Sequence, residues 1–148
     1  MSQDRLNQVF ATLNCSLLQY VGENSPWTSS TDDAIGEQLE MTVKLQGIQI
    51  QRLADFLVNR YGFVPHVNYP AEYTDLQYLS LSYLIGRLVA DQQTVLETIE
   101  AERKAITNDA GASDMLSQLE VGVAKTIKTL KDLEGRLNSK GEEAPAAS

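Results

Sequence analysis

Leu6, Phe10, Leu13, Leu17, Tyr20 and Val21 recur every three or four residues, the period of one helical face, and predict an amphipathic helix over residues 3–22. GENSPW ends it, because Pro26 keeps Ser25 out of the helical region. Ser29, Ser30, Thr31, Asp32 and Asp33 then offer N-cap oxygens, and Ile35, Leu39, Val43, Ile50, Leu53 and Leu57 carry a second stripe over residues 33–61, closed by Gly62. Leu76, Leu79, Leu84, Leu88, Val95, Ile99 and Ile106 predict a third helix over residues 75–107, capped by Thr74 or Asp75. After the turn NDAGAS, with Ser113 or Asp114 as cap, Leu116, Leu119, Val123, Ile127, Leu130, Leu133 and Leu137 predict a fourth over residues 114–138. Residues 139–148, SKGEEAPAAS, are small and polar and read as a disordered tail.

Four helices with one apolar stripe each, and no run with the period-two alternation of a strand, predict an all-α four-helix bundle over residues 1–138. Their connectivity turns on FVPHVNYPAEY, a segment whose prolines and valines favour an extended chain. The 13 residues Gly62–Thr74 span about 43–47 Å when extended, and a helix over residues 33–61 is about 43 Å long. The segment can therefore run the length of the bundle as a long crossover, leaving the second and third helices parallel. An up-down-up-down bundle with an ordered surface loop is the alternative.

Composition narrows the function classes. Twenty acidic against twelve basic side chains give a net charge of −8, which argues against a surface for nucleic acid. The single cysteine, Cys15, cannot build an intramolecular disulfide or a thiolate metal site, and its helix offers no basic neighbour to lower its pKa. No stretch approaches the ~20 apolar residues of a membrane span, and MSQDRLNQVF carries charge and amides where a signal peptide has its apolar run. A cytoplasmic protein with no membrane partner is expected. With one histidine, His66, no Ser-His-Asp constellation is supported, and the nine glycines form no phosphate loop.

The helix order, the long connecting segment and several local sequences together resemble the ferritin-like fold. SDMLSQLEVGVAKTIKTLKDLEGRL, residues 113–137, is similar to the last bundle helix of bacterioferritins and rubrerythrin-like proteins. That family carries Glu-x-x-His there, and the two positions fall on Val123 and Thr126. Its other Glu-x-x-His, followed by a Gly-x-x-Pro exit, aligns through Gly62-Phe63-Val64-Pro65 onto Gln46 and Gln49. The first helix's carboxylate falls near Leu13 or Asn14, ahead of Gln19-Tyr20, and the third helix offers Asp91 after a one-residue shift. SPWT and YPAEYTDLQYLSLSYL are similar to small bacterial ferritin-like proteins, a resemblance that brings no function with it. The resemblance implies a di-iron site, but such a site needs about four carboxylates and two imidazoles, and the aligned positions keep at most Asp91. It further implies side-by-side pairing of chains.

Each candidate residue has a bland reading beside the functional one. Gln46 and Gln49 sit inside an apolar stripe, so their amides need partners: each other, Thr126, Asn14 or a buried water, or else a small ligand held in a vestigial polar pocket with Asp91, Val123 and Thr126. Asp91 reads as a solvated or amide-satisfied acid, with Arg87 one turn away. Trp27, Tyr69 and Tyr73 either seal the bundle's side or anchor a homodimer interface. The sequence thus predicts a non-enzymatic bundle without metal or cofactor, serving as an interaction or small-ligand-binding module. The alternatives are a metal or redox protein of the ferritin-like class using Asp91, Glu97, Glu100 or Glu40, and a pure scaffold.

Overall fold

A computed structural model describes residues 2–24, 33–66, 68–69 and 81–143. Its helices are α1 (Ser2–Asn14), α2 (Leu17–Asn24), α3 (Asp33–Tyr61), α4 (Leu81–Ala105) and α5 (Ala110–Glu143), with no strand among the described residues. α1 and α2 together form one column, giving an all-α four-helix bundle in which the column and α5 each pack against both α3 and α4.

Side-chain pairs fix the directions. Arg5 near the start of α1 meets Glu102 near the end of α4 at 3.0 Å, and Arg60 at the end of α3 meets Asp109 just before α5 at 2.9 Å. Arg103 near the end of α4 pairs with Glu120 of α5. The C-terminal ends of α3 and α4 therefore share one end of the bundle with the N-terminal ends of α1 and α5. α3 and α4 run parallel to each other and antiparallel to their neighbours.

α3 occupies the span that its stripe predicts. It stops at Gly62, whose φ of 93° is a left-handed conformation that suits glycine, while its N–H still reaches the Val58 carbonyl at 2.9 Å. Three boundaries depart from the sequence expectation. The first helix is two helices: Ser16 breaks it, its hydroxyl accepting the Gln19 N–H at 3.4 Å while the Asp91 carboxylate accepts the Leu17 N–H at 3.0 Å. Those two acceptors satisfy the orphan donors of a new N-terminus, which makes a second start affordable in the middle of an apolar stripe.

α5 starts earlier than residue 114 because Asp109, and neither Ser113 nor Asp114, is the cap: its carboxylate accepts the Ala112 N–H at 3.1 Å. α5 also continues through residues 139–143, within the expected tail. α4 ends at Ala105, within the ordinary fraying of residue 107. The expected helical start at residues 75–80 and the tail's last residues, 144–148, lie outside the described residues.

Asp109 joins α3 to α5 at this end of the bundle. The Ala112 amide first, and then the Arg60 guanidinium, hold its carboxyl below the usual carboxylate range. Its stabilisation is thus complete above the ordinary carboxylate pKa and lost as pH falls through the lowered native value. Asp109→Ala is expected to cost about 1–2 kcal/mol in urea unfolding, whereas Asp109→Asn keeps the cap and costs less.

The core is in two clusters. One gathers Leu6, Phe10 and Leu13 with Leu53, Leu57, Ile99, Leu116, Leu119 and Val123, towards the end held by Asp109. The other gathers Leu17, Leu18 and Val21 with Leu39, Leu84, Leu88, Leu130 and Leu133. The break between α1 and α2 lies at the junction of the clusters, and so does a layer of polar side chains.

Candidate functional site

That layer is built from amides. Gln46 of α3 and Gln92 of α4 are both fully buried, and Gln46 Nε2 donates to Gln92 Oε1 at 2.6 Å. Gln19 of α2 donates from Nε2 to Gln46 Oε1 at 3.2 Å and to the Val43 carbonyl at 3.4 Å. The chain Gln19–Gln46–Gln92 thus ties three helices together at mid-height, with each bond replacing water that the interior excludes. Thr42 and Thr126, both buried, turn their hydroxyls back onto their own helices, to the carbonyls of Gln38 and Gly122.

The structure separates the residues expected to form one pocket. Gln46 bonds Gln92 and Gln19, not Gln49, Thr126 or Asn14. Gln49 and Thr126 instead line a groove of about 370 Å³ between α3 and α5, with Gly122, Leu45, Ile48, Arg52 and Lys125. Gly122 lets the two helices' side chains come close: a Cβ on it would fall inside the Gln49 amide and push that side chain aside. Gln49 lies over that glycine with a buried Oε1 that accepts no hydrogen bond. Val123 is packing, fully buried in one apolar cluster.

Asp91 faces the helix break and not the centre of the layer. Its heptad neighbours explain this, since Ile85, Leu88, Gln92, Val95 and Ile99 form the strict inward stripe of α4 and place Gln92, one residue on, at the inward position. Burial pushes the Asp91 carboxyl above the usual range; the Leu17 amide, Gln92 and the charge of Arg87 oppose it, in that order. Gln92 Nε2 has no partner of good hydrogen-bond geometry, so its pull on Asp91 is that of a misaligned donor, weaker than that of the Leu17 amide.

A raised native pKa means that the folded chain holds this proton more tightly than the unfolded one. Stability therefore falls as pH rises from the ordinary carboxylate pKa through the native value, and levels off above it. Asp91→Asn is expected to abolish that slope in melts taken across acidic pH while keeping an acceptor for Leu17. Asp91→Ala removes the α2 cap and is expected to cost about 1 kcal/mol.

Glu40 and Glu97 are exposed and Glu100 half-buried, and among the described residues no three of His, Cys, Asp and Glu converge as metal ligands. His66 is exposed beyond the end of α3. Tyr69 is half-buried and stacks edge-on against Tyr20, with ring centroids 5.2 Å apart, which fits the sealing role. Trp27 and Tyr73 lie outside the described residues.

Sequence reading missed Gln19, Gln92 and Gly122. The signal for Gln92 was its place on the three-four stripe of α4; Gln19 was noted only in the Gln19-Tyr20 pair, and its inward turn follows from the break at Ser16. No helix among the described residues is long and apolar enough to cross a membrane. No family model matches this chain, and neither a curated protein nor a solved structure matches it.

Proposed function

We propose that this chain is a ferritin-like bundle with a long crossover between α3 and α4, in which a layer of amides stands where a metal centre would be, and that it works as a non-catalytic binding module. The parallel run of α3 and α4 supports the crossover, since a short loop cannot join parallel neighbours end to end. One observation carries the rest: the mid-height interior is closed by Gln19, Gln46 and Gln92 bonded to one another.

The donor set does not fit a di-iron centre. Such a site wants about four carboxylates and two imidazoles to balance the metals' charge. Here the inward groups are neutral amides and hydroxyls, and Asp91, the one acid nearby, accepts the Leu17 amide. What the molecule offers to the outside is the groove over Gln49.

Loading the protein anaerobically with ferrous iron, then desalting it and measuring iron by elemental analysis, tests the reading. Iron at background level is expected. Retention of about two irons per chain would overturn it and return Asp91 and its neighbours to the role of ligands.

A further inference from the structure

We propose that the groove between α3 and α5 binds a small organic dianion, a short dicarboxylate that carries a hydroxyl between its two acid groups. This deepens the reading of the chain as a binding module and rests on it. Four features of the groove choose the ligand.

The first is charge. In a chain of net charge −8, the groove over Gln49 is lined by Arg52 and Lys125, and the adjoining depression, which shares Thr129 with it, adds Lys128, Lys131 and Arg136 against the single acid Asp132. Arg52 and Lys125 enter no ion pair among the described residues. A basic stripe on an acidic protein concentrates anions locally.

The second is spacing. Arg52 lies three residues beyond Gln49 on α3, and Lys125 three residues beyond Gly122 on the antiparallel α5. Gln49 lies over Gly122, so the two cations flank the amide from opposite directions, at about 9 Å along the bundle axis by helical rise. Long, flexible side chains on either side of one point suit two anionic groups on a short backbone better than one.

The third is the acceptor between them. Gln49 lines the groove, and its Oε1, buried against Gly122 and without a partner, gains one only when the side chain turns towards a donor in the groove. Because a carbonyl oxygen only accepts, the ligand must present an O–H or N–H at its middle. The fourth is size and lining: about 370 Å³ with Leu45 and Ile48 as an apolar wall suits a chain of a few methylenes.

The experiment uses the full chain, isotope-labelled, and follows amide NMR signals during titration with β-hydroxyglutarate. Saturable shifts are expected over residues 42–52 and 122–129. Glutarate, which lacks the hydroxyl, and β-hydroxybutyrate, which lacks one carboxylate, are each expected to bind about tenfold more weakly. Arg52→Gln and Lys125→Gln should each weaken β-hydroxyglutarate, and Lys104→Gln on α4 should not.

Gly122→Ala supplies the sharpest arm. Its methyl displaces the far end of the flexible Gln49 side chain, so the variant is expected to fold, as thermal melting will show, and to bind β-hydroxyglutarate and glutarate equally. Equal binding of all three compounds by the parent chain, no saturable shifts, or shifts elsewhere would overturn the proposal. So would groove signals that move on dilution without any compound, which would place a second copy there. Failure of this proposal leaves iron at background, whereas failure of the underlying reading shows as retained iron, so the two are separable.

Discussion

Truncating Gln92 to alanine is expected to lower the free energy of unfolding by about 2–4 kcal/mol, because it both opens a cavity and strands Gln46. Gln92 is fully buried and its Oε1 takes the Gln46 Nε2 at 2.6 Å; without it that donor loses the bond it makes among the described residues. Gln46 Oε1 would still accept from Gln19, at 3.2 Å, so half of one amide survives. The double variant Gln46→Leu/Gln92→Leu removes donor and acceptor together and fills a similar volume. It is expected to unfold within about 1 kcal/mol of the parent, because both partners of the buried bond go together and Gln19 Nε2 keeps the Val43 carbonyl at 3.4 Å. Urea unfolding of the three proteins checks this. A leucine pair as damaging as the single truncation would show that the layer depends on hydrogen bonds that apolar packing cannot replace.

That asymmetry bears on why the layer exists. Amides at this height are expected to add little net stability over leucines, yet they stand between the two apolar clusters and tie α2, α3 and α4 to one another. A buried polar contact sets register by making every slipped arrangement leave a group unpaired. One turn along α3 from Gln46, Gln49 lines the α3–α5 groove and takes no part in the chain of amides, so register and surface chemistry meet at neighbouring turns of one helix.

Much of this was legible in the residues, in ways that differ by range. α3 was readable from end to end because its signals are local: an apolar stripe and a glycine that can take positive φ. The split between α1 and α2 was not, since Cys15-Ser16 contains no breaker and the decisive acceptor, Asp91, lies 74 residues away in sequence. The cap of α5 sat between. NDAGASD offers several acceptors, and Asp109 prevails because it also meets Arg60, a contact that no local pattern discloses.

For the interior site, the resemblance to ferritin-like helices drew attention to Gln46, a residue that the structure buries fully. On α4 it pointed to Asp91, where plain heptad counting gives Gln92. No local pattern singles out Arg52 or Lys125, because only the antiparallel packing of α3 on α5 brings them to either side of Gln49.

The exposed side of α3 gives the second large expected effect. Met41, Leu45 and Ile48 stand more than half exposed, one helical turn apart, while Leu53 is fully buried in the same helix. Leu53→Ala is expected to cost about 2–5 kcal/mol, by lost transfer free energy and by the cavity left among Leu57, Leu116 and Leu119. That is a large part of the roughly 5–15 kcal/mol that holds a domain of this size together. Leu45→Ala deletes the same atoms from a site already in water, and is expected to change stability by no more than about 0.5 kcal/mol. Thermal and urea unfolding at two protein concentrations measures both. If Leu45→Ala proved as costly as Leu53→Ala, and more so at the higher concentration, the stripe would be covered in solution by another copy, and the groove beside it would be closed to a small anion. If only Leu53→Ala is costly, Leu45 stands in water and the groove that it lines stays open to a small anion.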